Sequence, residues 1–187
     1  TNSDEFAAKV KSYRNHGLIP YHHLDDVSQE QSLDVGYAGY NFRMTEIQAA
    51  LGYSQLNSVE KFLSKRKDLV RSYDAEFSKS TKIKAPKIDR FWDDAWQSYV
   101  VFLTTIRNAG ERDEVIKRLS NHGVECRAPT QAIHRLRHYK NLTKSKASKF
   151  SGTNFCFERT ISLPMHTALS NDDIRYISTK LHKALEC

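Results

Sequence analysis

The stretch GYNFRMTEIQAALG, residues Gly39 to Gly52, decides how this chain is read. Its second half opens a helix. Thr45 stands where an N-cap is needed, Gln48 follows at capping-box spacing, and Ile47, Ala50 and Leu51 share one face. Its first half sets Tyr40, Asn41, Phe42 and Arg43 against the mouth of that helix. A helix N-terminus carries unpaired N–H groups and the positive end of a dipole, so it attracts anions, phosphate especially. Asn41 adds an amide donor and Arg43 a planar fork for carboxylate or phosphate. A purely structural reading is also open, in which Phe42 and Met44 staple the helix start and Arg43 makes a surface ion pair.

Working outward, TNSDEFAAKVKSYRNHG predicts a helix over 3–14 with Asn2 or Ser3 as N-cap and Gly17 at its C-terminal stop. Phe6, Val10 and Tyr13 fall on one face. Residues 18–38 show no period and read as loop with short extended pieces, broken at Pro20. Downstream, helical spacing runs through Val59, Phe62, Leu63, Val70, Tyr73 and Phe77 after a break at Asn57-Ser58. The SKRKD run within it reads as a solvated face.

After Pro86 the texture changes. SYVVFLT is β-branched and aromatic and predicts a strand over 98–104. ERDEVIKRLSNHG predicts a helix with Val115, Ile116 and Leu119 inward, stopped by Gly123. VECR is a short strand candidate, and TISLP a strand ended by Pro164. Ser170 caps a last helix whose Ile174, Ile177, Leu181 and Leu185 form a stripe. The pattern from residue 90 is β-α-β, an irregular segment, then β-α, which suits a small α+β domain with helices on one face of a short sheet. Three parts follow: 1–57, helix-loop-helix resembling the end of a larger domain; 58–89, a connecting helix and linker; and 90–187, the α+β domain.

The totals set wide bounds. A chain of 187 residues with 39% apolar and 27% charged residues is ordinary globular material, and no apolar run approaches a membrane span. Lys and Arg outnumber Asp and Glu by 29 to 22, which favours anionic partners without choosing among them. Cys126, Cys156 and Cys187 form no CxxC pair and read as free thiols of a reducing cytoplasm. The chain begins at a polar Thr-Asn-Ser without Met and is expected to be part of something longer.

Four segments in order, GYNFRMTEIQAALG, TNSDEFAAKVKSYRNHG before it, and LSNHGVECRAPTQAIHRLRHY and ISLPMHTALSNDDIRYI after it, resemble the sugar aminotransferases of the DegT family. The resemblance spans nearly the whole chain. It implies an α/β protein, an α+β fragment forming the C-terminal part of a fold type I transferase: the end of the large domain plus the small domain. It also implies pyridoxal 5′-phosphate as cofactor, a homodimer with a shared active site, a nucleotide-linked keto-sugar substrate and an amino-acid donor. Carried over residue by residue, Asn41 contacts the cofactor phosphate in the partner's site, while Arg43, His134 and Thr130 contact substrate. The Schiff-base lysine of the family lies just upstream of the segment that starts here at Thr1, so no catalytic residue is assigned and this chain alone is expected to be inactive. The alternative is a non-catalytic binding or dimerisation module derived from the family.

Other constellations carry less. His134 and His138 with Cys126 supply only three zinc ligands, so no metal is expected. His22 and His23 read as surface, His16 as a helix-end residue, and His166 as packing. Lys140, Lys144, Lys146 and Lys149, with Arg135 and Arg137 just before them, read as a basic loop steering an anionic substrate rather than a nucleic-acid site.

Overall fold

Ser3 starts α1 (Asp4–Tyr13): its hydroxyl accepts the Phe6 N–H, and Asp4 and Glu5 lie at the positive end of the helix dipole. The helix ends in the RNHG turn, where His16 (φ 59°) and Gly17 (φ 76°) both take left-handed backbone. Glycine is required at the second position, because a Cβ there would fall 1.8 Å from the Tyr37 carbonyl oxygen. Two short strands, β1 (Leu18–Ile19) and β2 (Asp34–Val35), pair antiparallel beyond the turn. Then comes α2 (Glu46–Leu56), whose capping box closes in both directions. Gln48 N–H donates to Thr45 Oγ1 at 3.3 Å, and Thr45 N–H to Gln48 Oε1 at 3.0 Å.

The computed structural model describes residues 1–19, 34–89, 91, 93–143 and 147–186. Pro20, His22, His23, Lys144, Lys146 and Cys187 lie outside the described residues. The chain divides into two compact units, Thr1–Asn57 and Ser58–Cys187. Among the described residues of the first unit, only Ser12 and Gly17 are buried.

The second unit comprises α3 (Val59–Phe77), β3 (Ile83–Lys84), β4 (Tyr99–Leu103), α4 (Ala109–Ser120), α5 (Arg137–Thr143), α6 (Ser151–Arg159), β5 (Thr160–Leu163) and α7 (Asn171–Ala184). Its sheet is antiparallel with β4 in the centre: Ile83 lies opposite Leu103, and Val101 opposite Ile161. Alternation along β4 turns Tyr99, Val101 and Leu103 inward. There they join Leu69, Tyr73 and Phe77 of α3, Val115 and Leu119 of α4, and Ile174, Ile177 and Leu181 of α7 in one apolar cluster. Tyr73 and Tyr99 stack at 4.6 Å in its middle. Their hydroxyls find acceptors, Tyr73 donating to the Pro164 carbonyl at 2.9 Å and Tyr99 to Asp74 at 2.6 Å. Burial holds both phenols above the usual tyrosine range.

Three features differ from the sequence expectation. The helix expected as a connector, α3, contributes Leu69, Val70, Tyr73 and Phe77 to the core of the second unit. VECR forms a single bridge, Arg127 to Ser162, instead of a strand. The segment expected to be irregular holds α5, α6 and 3-10 turns at Ile133–Arg135 and Ala147–Phe150, so Lys140 and Lys149 sit in helical turns rather than a loop. SGTNFCFER is a poor helix by propensity. It is held by packing, because Phe155 stacks on Phe102 of β4 at 5.1 Å. The sheet therefore carries helix on both faces, not on one.

Candidate functional site

In the first unit, residues 40–42 run alongside the end of α1. Tyr40 N–H donates to the Tyr13 carbonyl at 2.7 Å, Phe42 N–H to Arg14 at 2.9 Å, and His16 N–H to Tyr40 at 2.9 Å. Asn41 pairs with Asn15 in an isolated antiparallel bridge. Side chains alternate along such extended backbone. Tyr40 and Phe42 stack on each other, centroids 4.9 Å apart and planes within 4°. Asn41 and Arg43 form the second pair, with Arg43 Nε donating to Asn41 Oδ1 at 3.1 Å.

That bond settles the amide's orientation. A guanidinium nitrogen can only donate, so the atom facing it is the oxygen and Nδ2 is left as a donor. Asn41 is exposed, and neither its Nδ2 nor the Arg43 Nη groups has a partner among the described residues. A neutral donor and a planar cation thus stand together just ahead of the Thr45 cap. The purely structural alternative is not realised within the described residues: Phe42 and Met44 are 69% and 68% exposed, and Arg43 makes no ion pair.

In the second unit, Thr130 is exposed and lines a cleft of about 600 Å³ with Val100, Pro129, Ala132, Cys156 and Phe157. His134 is not part of that lining. It sits in the turn Ile133–Arg135, stacked on Phe150 at 4.6 Å, with Nε2 2.9 Å from Asn154 Oδ1. Arg135 Nε donates to the same oxygen at 2.7 Å, and its Nη2 pairs with Glu158. So the structure joins Asn41 to Arg43 in one unit, and places Thr130 and His134 on one segment of the other. Asn154 and Glu158 escaped the sequence reading, which took Arg135 only as part of a basic run. Asn154 and Glu158 stand at i, i+4, a spacing that signals one helix face once α6 is recognised.

The residues weighed as zinc ligands, Cys126, His134 and His138, all lie in the second unit. His134 Nε2 is engaged by Asn154, and burial pushes the Cys126 thiol up to about 12. Among the described residues no group of three or more His, Cys, Asp or Glu could hold a metal ion. Nor is any helix among them long and apolar enough to cross a membrane.

The DegT/DnrJ/EryC1/StrS aminotransferase family model matches residues 1–182. The chain belongs to that family. Among curated relatives of this DegT-family chain, it is 28% identical to GDP-perosamine synthase of Caulobacter vibrioides, over 99% of this chain and 47% of the relative. It is 23% identical to UDP-4-amino-4,6-dideoxy-N-acetyl-beta-L-altrosamine transaminase of Campylobacter jejuni, over 100% of this chain and 47% of the relative. The chain thus spans about half the length of the curated relatives it matches. Among solved structures it superposes on Spr1654 of Streptococcus pneumoniae, described as a sugar aminotransferase, in its PMP form. The TM-score is 0.87 at 24% identity, over 100% of this chain and 46% of that one. PseC of Helicobacter pylori gives a TM-score of 0.83 at 22% identity, over 100% and 47%. The fold is that of the C-terminal half of these aminotransferases, mixed α/β. Spr1654 is known in PLP and PMP forms, and with the family this points to pyridoxal phosphate as cofactor.

Proposed function

We propose that these residues are the C-terminal portion of a pyridoxal-phosphate-dependent aminotransferase of nucleotide-linked keto-sugars, working in amino-sugar biosynthesis with an amino acid as donor. The observation that carries this is the family match over residues 1–182. The names of both curated relatives specify a nucleotide-linked sugar, which supports that substrate class.

The donor set of the first unit fits the cofactor's phosphate. Asn41 Nδ2 is a neutral donor and the Arg43 guanidinium a cationic one, side by side and facing solvent. When bound, pyridoxal phosphate supplies a carbonyl carbon that carries the amino group between donor and acceptor. Asn41 binds the phosphate, in a site shared with a second copy of the chain. Arg43 orients a substrate carboxylate, while Thr130 and His134 contact the sugar. In this reading the family's anchoring lysine belongs to the part of the enzyme that these 187 residues do not include. The exposed apolar side chains of the first unit, Ile47 and Tyr53 among them, support assembly as a homodimer. The unpaired Cys126 and Cys156 support a reducing, cytoplasmic setting.

The test is an absorbance titration of the longer protein with pyridoxal phosphate. A saturable band of lysine-bound cofactor is expected, and Asn41→Ala should weaken cofactor affinity by about tenfold, one charge-assisted hydrogen bond. Absence of any such band would sink the aminotransferase reading and leave the binding module.

A further inference from the structure

Two contacts hold the His134 ring, and a third fixes the group that meets it. Phe150 covers one face of its ring at 4.6 Å. Asn154 Oδ1 meets Nε2 at 2.9 Å. The same oxygen accepts Arg135 Nε at 2.7 Å. Arg135 is itself tied down, because its Nη2 pairs with Glu158 on the next turn of α6 and its guanidinium lies over Phe157 at 5.2 Å. The buried Arg112 also packs on that ring, its guanidinium 4.8 Å from the centre and donating to the Phe157 carbonyl.

Donor and acceptor roles along these contacts fix the position of one proton. Arg135 has no lone pair to offer, so the Asn154 atom it touches is the carbonyl oxygen. That oxygen cannot donate, so the imidazole nitrogen facing it must carry a hydrogen. We infer that Asn154, oriented by Arg135 and Glu158, is a positioning residue that holds neutral His134 as the Nε2–H tautomer and leaves Nδ1 as a hydrogen-bond acceptor. The ligand group such a nitrogen takes is a donor: a sugar hydroxyl or an amino group, not a phosphate or carboxylate oxygen. This deepens the substrate-contact reading of His134 and rests on it for the identity of the ligand. The tautomer itself rests only on the geometry.

The experiment is long-range proton–nitrogen correlation of the histidine rings in the whole 15N-labelled chain, at a pH where imidazole is neutral, with His134→Gln to assign the signal. His134 should show fully resolved protonated Nε2 and unprotonated Nδ1 resonances, with a Nε2–H proton protected from solvent. Asn154→Ala should abolish that protection and bring the two nitrogens to the averaged shifts of a free imidazole. Asn154→Asp keeps an acceptor oxygen and should restore the single tautomer. An Nδ1–H pattern or averaged nitrogens in the native chain overturns the inference. So does a native-like pattern in Asn154→Ala. Should Asn154→Ala not fold, the native spectrum alone still decides. Titration of the longer protein with a UDP-linked sugar tests the other half separately. Unchanged affinity in His134→Gln, beside an intact native tautomer, refutes the substrate contact and not the tautomer.

Discussion

Arg43 and Arg135 act alike at two places in the chain: each is a donor-only group that turns a neighbouring asparagine so that its oxygen faces the guanidinium. At Asn41 the consequence is a free amide donor, and at Asn154 a second acceptor bond directed at His134. The cysteines show how burial sorts residues of one type. Cys126 packs against the apolar cluster and its thiol is pushed up to about 12 by desolvation, whereas Cys156 is exposed in the cleft that holds Thr130. Iodoacetamide at pH 8 should therefore modify Cys156 first and Cys126 at least ~100-fold more slowly than an exposed thiol, since the thiolate is the nucleophile. Peptide mapping by mass spectrometry gives both rates, and equal rates would contradict the burial of Cys126.

At the scale of elements, the two capping boxes are the local rule that worked best. Ser170 accepts the Asp173 N–H at 3.1 Å while Asp173 accepts the Ser170 N–H at 2.8 Å, and the Ile174, Ile177 and Leu181 stripe of α7 then meets the sheet. Ser170→Ala should cost about 1 kcal/mol in urea unfolding. The Ser170 backbone and hydroxyl hold the Asp173 carboxyl below its usual range. Because folding lowers this pKa, its contribution is present above the unfolded value near ~4 and is lost as pH falls through the folded one. The stability gap between the native chain and Asp173→Asn should thus be open at pH 7 and closed at pH 2, as followed by urea midpoints. Helix α6 teaches the opposite lesson. Most of its residues are weak helix formers, and Phe155 against Phe102 with Arg112 and Arg135 packed on Phe157 supplies what propensity lacks.

For the whole molecule, the contrast between the units is decisive. The second unit buries a continuous core. In the first, α2 has no buried residue, and Ile47 and Leu51 stand 83% and 64% exposed. Covering such a side chain contributes about 1.5–3 kcal/mol, so this surface favours association. By light scattering the chain should have more than its single-chain mass of 21.6 kDa, and Ile47→Asp should shift it toward that value. A monomer at micromolar concentration would contradict the shared-site assembly.

Much of this was legible in the residues themselves. Thr45 and Gln48, Ser170 and Asp173, the alternation of SYVVFLT and the stripes of α3 and α7 are short-range signals, and each depends on neighbours within four residues. The order of motifs was enough for the family. Tertiary structure alone decided that α3 belongs to the core, that α6 covers the second face of the sheet, and that Asn154 meets His134 across 20 positions. Such contacts follow from packing and chain closure, not from any period in the sequence, because the energy that holds them arises only once the sheet has brought distant segments together.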